Sequence, residues 1–362
     1  MSFPDLPDFP WDTLADHAAR ARTHPDGVVD LSVGTPVDPV PDLIQAALGA
    51  ASELPGYPTT HGLPELRQAA VDALARRHGV LGVDPAAVLP TIGSKELVAW
   101  LPTLLGARGR AVVVPELAYP TYDVGARLAG ARVVRSDGLT ALGPEAPAMV
   151  WLNSPSNPTG RVLPVEHLRK VVSWARERGT IVVSDECYLA LGWEAEPVSL
   201  LHPSVCGGDF TGLLSVHSLS KTSSLAGYRA GFVTGDPALV KGLLEVRKHA
   251  GMIVPRPVQS AMTAALADDT HLAAQKARFA ARREVLKPAL ERAGFTVEHS
   301  EAGLYLWSTR AECAWDTVSW LADRGILAAP GTFYGPTGDR HVRIALTATD
   351  ERMATAADRL AA

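Results

Sequence analysis

Apolar residues in this chain come in short runs set between longer amphipathic stretches. From about residue 86 the two alternate. Val88-Leu89-Pro90-Thr91-Ile92 reads as extended, and Gly93-Ser94-Lys95-Glu96 opens an amphipathic helix to about Leu105. Ala111–Val114 predicts a strand, Tyr122–Leu128 a helix, and Arg132–Val134 and Ala148–Leu152 two more strands. The turn-rich Asn153–Gly160 follows. A helix is expected over Val165–Arg178, then strands at Thr180–Ser184, Leu213–Val216 and Phe232–Thr234. Short apolar strands separated by helices indicate an α/β sheet, mostly parallel and covered on both faces. Ligands of such sheets sit beyond the carboxyl ends of the strands.

The flanks read differently. A short helix is expected over residues 12–22, and Val28–Pro36 runs extended into a glycine turn. Leu43, Ile44, Ala47 and Leu48 have helical spacing, Tyr57–Gly62 is a loop, and Pro64 opens another helix. Helices dominate from 237 to 293. The tail then alternates Phe295–Val297, Leu304–Trp307, a helix over 315–323, Ile326–Ala329, Val342–Leu346 and a last helix, which predicts a smaller α+β domain.

The 362 residues suffice for one large domain and a smaller one. Apolar content of 47% against 20% charged predicts a packed, soluble core. A net charge of −5 without a basic block argues against nucleic acid as a partner. Cys187, Cys206 and Cys313 are scattered, without metal-type spacing, and fit the reduced thiols of a cytoplasmic protein. Met1–Asp5 has neither a basic region nor an apolar core, so no signal peptide is expected. No apolar run is long enough to span a membrane.

The candidate chemistry centres on Ser218-Leu219-Ser220-Lys221, which follows an apolar strand-like run. Burying a lysine lowers its pKa, and a deprotonated lysine condenses with an aldehyde. Arg229 comes eight residues later, just before Ala230-Gly231-Phe232-Val233, and a fixed guanidinium suits a phosphate. Together these residues point to pyridoxal 5′-phosphate carried on Lys221. Other polar groups follow strand ends. Asp185 ends the strand before it, with Tyr188 three residues on. Ser94 and Lys95 stand at a helix start, where backbone N–H groups attract phosphate, although serine there is also a common cap. Asn157, in Asn157-Pro158-Thr159-Gly160, is plain turn chemistry taken alone, with Asn153 a competitor for any amide role. Tyr119 lies in Tyr119-Pro120-Thr121-Tyr122, where Tyr122 reads as packing. Arg343, inside the apolar run His341–Leu346, needs a partner.

Residues 218–231 resemble the lysine-attachment motif of the class I/II aminotransferases, pyridoxal-phosphate enzymes of fold type I. The resemblance implies an aspartate aminotransferase-like α/β fold. Its large cofactor-binding domain would span 41–250, and linking helices with a small domain 251–362. The N-terminal segment, 1–40, would pack with the small domain. It also implies roles. Lys221 carries the cofactor and moves the substrate proton. Asp185 pairs with the pyridine nitrogen. Tyr188 and Asn157 bond the phenolic oxygen, and Tyr119 stacks on the ring. Ser94, Lys95, Ser218 and Arg229 hold the phosphate. Arg343, the backbone of Gly34 and Asn157 bind the substrate. Tyr57 reaches the phosphate of the other subunit, making a homodimer with a shared site.

Three stretches, Ile92–Trp100, Leu152–Gly160 and Arg247–Met252, are also similar to the short actinobacterial N-succinyldiaminopimelate aminotransferases. That similarity implies glutamate and 2-oxoglutarate as one substrate pair and a succinylated oxo acid of lysine biosynthesis as the other acceptor. It calls for a distal cationic cluster, with Lys248, Arg256 and Arg22 as candidates. Another amino acid aminotransferase, or a C–S lyase of the same fold type, would share the lysine, aspartate and arginine.

Overall fold

The computed structural model describes residues 6–361, so Met1–Asp5, read above for a leader, lie outside the described residues. The first half of the chain forms α1 (Ala15–Arg22), β1 (Val29–Asp30), α2 (Asp42–Ala50), α3 (Pro64–His78), β2 (Val88–Ile92), α4 (Gly93–Leu104), β3 (Ala111–Val114), α5 (Thr121–Leu128), β4 (Arg132–Arg135), β5 (Met149–Asn153) and α6 (Val165–Arg178). There follow β6 (Ile181–Asp185), α7 (Pro203–Cys206), β7 (Leu213–Ser218), β8 (Ala230–Gly235), α8 (Pro237–Ala250), α9 (Arg256–Ala267) and α10 (Thr270–Arg292). The tail contributes β9 (Thr296–Glu298), β10 (Tyr305–Thr309), α11 (Ala314–Asp323), β11 (Ile326–Leu327), β12 (Ala329–Pro330), β13 (Val342–Ala345) and α12 (Asp350–Ala361).

Seven strands make the main sheet, in the order β2-β8-β7-β6-β5-β3-β4. β8 runs against both its neighbours; the other pairings are parallel. Helices cover both faces, which is why its central strands read as unbroken apolar runs. Along β5, Val150 and Leu152 face a core shared with Leu66 of α3, Val171 of α6 and Ala261 of α9. Met149 and Trp151 face the opposite core, with Leu97 of α4, Tyr122 of α5 and Leu243 of α8. Local signals set the helix ends. Pro64 starts α3 and Gly79, left-handed at φ 63°, stops it after Arg76, Arg77 and His78. The Asp236 side chain accepts the N–H groups of Ala238 and Leu239 at the start of α8.

α10, 23 residues long, leads into a smaller unit. Its antiparallel sheet has the order β12-β13-β10-β9, and its core includes Phe279 and Leu286 of α10, Leu321 of α11 and Met353 of α12. Two expectations change here. The expected strand over Ile326–Ala329 divides: Ile326 and Leu327 pair in parallel with Val29 and Asp30, while Ala329 and Pro330 join β13. Pro330 lacks an N–H and ends that edge. The extended run expected over Val28–Pro36 forms a ladder only at Val29–Asp30. The Asp30 carboxylate accepts both the N–H (2.9 Å) and the hydroxyl (2.6 Å) of Ser32, which turns the chain away. Among the described residues no helix is long and apolar enough to cross a membrane.

Candidate active site

A cavity of about 670 Å³ opens at the carboxyl ends of the parallel strands. Gly34, Ser94, Lys95, Tyr119, Asn157, Asp185, Tyr188, Ser218, Lys221, Arg229 and Arg343 all line it. Tyr57 does not; it is fully exposed on its own chain. Lys248, Arg256 and Arg22 are also absent from the lining, and Lys248 is held at the surface by Glu245. A separate cavity of about 300 Å³ lies behind Asn153, floored by Val113, Val150 and Leu152, without the lysine or Asp185.

Two neighbouring strand ends supply the charged floor. Asp185 ends β6 and is buried. Its Oδ2 accepts the Tyr122 hydroxyl at 2.8 Å, and its Oδ1 the Cys187 N–H at 3.2 Å. Burial pushes this carboxyl up, and the hydrogen bonds from Cys187 and Tyr122 pull it back. Tyr122 therefore does more than pack: it is fully buried, stacked on Trp151 at 4.9 Å, and braces the carboxylate. The sequence expectation that Tyr122 only packs is corrected by that hydrogen bond. Tyr119 stands edge-on to it at 6.0 Å.

Lys221 follows β7 and donates from Nζ to the Gly34 carbonyl. Burial lowers its pKa, and the cations Arg343 and Arg229 act in the same direction. Ser218 ends β7, and its Oγ accepts the N–H of Ser220 at 3.2 Å. Gly93 starts α4 at φ 69°, and a Cβ there would collide with the Arg229 guanidinium. Arg229 itself holds a left-handed φ of 57° and donates to the Ala226 carbonyl at 2.8 Å. Hydroxyls, a guanidinium and a helix start thus form an anion-binding cup. Lys95, one residue into that helix from Ser94, places its ammonium 5.6 Å from the Phe9 ring, on the N-terminal segment. Phe9 and Trp11 line the same cavity and no sequence signal marked them; their only visible trait was hydrophobicity.

At the other end lies Arg343, 2% exposed. Its Nη1 donates to Asn157 Oδ1 (3.0 Å) and its Nη2 to the Ser32 carbonyl (2.6 Å). The guanidinium sits over the Tyr305 ring at 4.0 Å. Its Nε has no partner, and no carboxylate pairs with it among the described residues. Asn157 is set by Asn153, whose Oδ1 accepts the Asn157 N–H at 2.7 Å and whose Nδ2 donates to the Asp185 carbonyl at 2.9 Å. Asn153 is thus the support that orients Asn157. Tyr188 shares a 3.0 Å hydroxyl contact with Tyr305, and burial pushes its phenol up. A Cβ on Gly34 would strike the Tyr305 hydroxyl, which leaves that position to glycine.

The anion-binding cup, the buried carboxylate and the lysine of lowered pKa fit pyridoxal 5′-phosphate in charge and in donor set. Residues 26–360 match the family described as aminotransferase class I and II. The chain belongs to this family of pyridoxal-phosphate enzymes, with the aspartate aminotransferase-like fold. It is 70% identical to a probable aminotransferase of Mycobacterium tuberculosis over 98% of this chain and 85% of that one. A 4-dedimethylamino-4-oxo-anhydrotetracycline transaminase of Streptomyces rimosus is 60% identical over 98% of this chain and 99% of its own. An LL-diaminopimelate aminotransferase of Dehalococcoides mccartyi is 31% identical over 96% and 94%. The crystal structure of an aminotransferase from Neisseria meningitidis matches with a TM-score of 0.87 at 30% identity, covering 98% of this chain and 97% of that one.

Proposed function

We propose that this aminotransferase exchanges an amino group between glutamate and 2-oxoglutarate on one side and N-succinyl-2-amino-6-oxopimelate on the other. That is the succinyldiaminopimelate transaminase reaction of lysine biosynthesis. The observation that carries an amino-acid substrate is Arg343, a buried guanidinium with an unpartnered Nε and, among the described residues, no carboxylate partner. A buried charge is costly without a counter-ion, and an α-carboxylate matches its fork. Lys95 supports an acidic distal end: beside Lys221, Arg229 and Arg343 it is a further cation in the cavity, with no acidic partner among the described residues. One relative is named for diaminopimelate, the skeleton of this substrate without its succinyl group.

In this reading Lys221 carries pyridoxal 5′-phosphate, which supplies an electron sink for the carbanion at the substrate α-carbon. Ser94, Ser218 and Arg229 hold its phosphate, with Lys95 at the rim of that cup. Asp185 pairs with its ring nitrogen. Asn157 and Tyr188 bond its phenolic oxygen, and Tyr119 covers its ring. Lys221 Nζ, whose pKa burial lowers, takes the proton from the α-carbon. Arg343 and the backbone of Gly34 orient the carboxylate so that this proton faces Nζ. Tyr57 reaches into the site of a second copy, so the working enzyme is a homodimer, acting in the cytoplasm.

The test follows the absorbance of the bound cofactor. Glutamate should bleach the aldehyde form, and 2-oxoglutarate should restore it. The succinylated oxo acid should restore it faster than oxaloacetate, and slower recovery with it would remove the lysine-pathway assignment. Lys95→Ala should raise KM for the succinylated acid about tenfold and leave that for a 2-oxo acid with an uncharged side chain near its native value. A second reading rests on the relative named for an oxo-anhydrotetracycline, at 60% identity. There the acceptor is a fused-ring ketone lying against Phe9, Trp11 and Tyr119. Faster recovery with such a ketone than with any oxo acid would select it.

A further inference from the structure

Two residues beyond Lys221, the Ser223 hydroxyl lies 2.9 Å from Nε2 of His271. Nδ1 of the same imidazole is 2.7 Å from Oδ2 of Asp268, which also accepts the His271 backbone N–H at 2.8 Å. A carboxylate can only accept, so Nδ1 carries the proton and Nε2 accepts from Ser223. The order serine, imidazole, carboxylate is that of a hydrolytic triad. Yet Ser223 is 2% exposed and His271 8%, so no acyl substrate reaches the hydroxyl. None of the three lines the cavity. Two buried, hydrogen-bonded side chains anchored on the half-buried Asp268, beside the lysine, act as a mount.

The loop it holds needs one. Ser224 has φ 54° and Arg229 φ 57°, left-handed conformations that a side chain adopts only where surroundings enforce them. Asp268 lies between α9 and α10, and His271 is in the first turn of α10. Farther along α10, Gln275 Nε2 (2.7 Å) and Arg282 Nη1 (2.8 Å) hold the carboxylate of Asp38. Asp38 closes the strap of residues 33–38, whose Gly34 carbonyl accepts from Lys221. One helix therefore touches the lysine loop at its start and the strap over the cavity along its length.

We propose that His271 is a positioning residue for Lys221. Through Ser223 it fixes the loop that carries the lysine, and through α10 it sets that loop relative to the strap. The proposal rests on Lys221 being the cofactor lysine.

Ser223→Ala, His271→Ala, His271→Gln and the Ser223→Ala/His271→Ala double variant are made in the full chain. Three quantities are read: the rate at which cofactor-free protein captures pyridoxal 5′-phosphate, kcat and KM for glutamate, and the thermal midpoint. Each alanine variant should slow capture and lower kcat about three- to tenfold, as expected for one lost buried hydrogen bond, with KM changed less than about twofold. The double variant should be no slower than either single one. His271→Gln, which keeps an acceptor for Ser223, should lie between His271→Ala and the native protein. Native capture and kcat in both single variants would overturn the proposal, as would losses that multiply in the double. Leu266→Ala, a cavity at the buried end of α9, is the stability control. If it loses capture in proportion to its thermal midpoint just as Ser223→Ala does, the network is structural only and the proposal fails. Lys221→Ala is the separate check: a native bound-cofactor spectrum in that variant would sink the lysine assignment itself.

Discussion

Two buried carboxylates, adjacent in sequence, meet opposite fates. Asp185 faces the cavity and keeps donors from Tyr122 and Cys187. Removing the Tyr122 hydroxyl takes away a bond that lowers the Asp185 pKa, so the carboxyl must protonate at a higher pH. Tyr122→Phe should therefore lower kcat about three- to tenfold and move the acid limb of its pH profile upward; an unmoved limb would show that Asp185 does not depend on Tyr122. Glu186 points to the other side of the sheet, accepting the Ser199 hydroxyl and the Leu200 N–H, each at 2.7 Å. Burial pushes it up to about 7 from 4.5, while His217, 3.8 Å away, is pushed down to about 3 and stays neutral. The folded chain keeps the Glu186 proton that an unfolded chain releases, so its contribution is complete below pH 4.5 and is lost as pH rises through 7. Between pH 5 and 8 the unfolding free energy of the native protein should fall relative to Glu186→Gln by about 1–3 kcal/mol. Denaturant titrations at the two pH values check this, and parallel curves would show that Glu186 stays ionised.

Elements were the most legible scale. The main strands announced themselves because both faces are covered, and the helices because their apolar stripes recur every three to four residues. β8 gave no sign of running against its neighbours, since periodicity carries no direction. The pairing of β1 with β11 was equally hidden: two residues cannot show a period, and their partner lies in the other half of the chain. At the site, residues inside motifs with a chemical reason for their spacing were legible one by one. Phe9, Trp11, Tyr122 and the Ser223–His271–Asp268 set were not, because a buried tyrosine or serine reads as packing until its partner is placed. Gly34 belongs to this scale, since the strap can pass Tyr305 only without a side chain there. Gly34→Ala should raise KM for glutamate about tenfold or more with the fold intact, measured by steady-state kinetics beside a thermal melt. An unchanged KM would mean the strap yields without disturbing the carboxylate end.

At the scale of the whole molecule, the proposed homodimer would place Tyr57, fully exposed on its own chain and outside its own cavity, in the site of the other copy. Tyr57→Ala and Lys221→Ala should each be strongly impaired alone. Mixed one to one and allowed to exchange, they should regain roughly a quarter of native activity, because half the dimers are mixed and each of those has one intact site. No recovery, with exchange shown independently, would place Tyr57 outside the site.

The contact between Arg343 and the Ser32 carbonyl joins residues 311 apart in the chain. On the ribosome, at about 5–20 residues per second, Ser32 emerges roughly 15–60 seconds before the arginine that will seat it. For most of that interval β1 lacks its partner strand β11, and until its end the cavity lacks Arg343, although Lys221, Asp185 and the anion-binding cup are made well before then. The newborn chain can therefore assemble its cofactor half well before it can hold an amino acid, and the last stretch of translation is what turns a cofactor-binding domain into an enzyme.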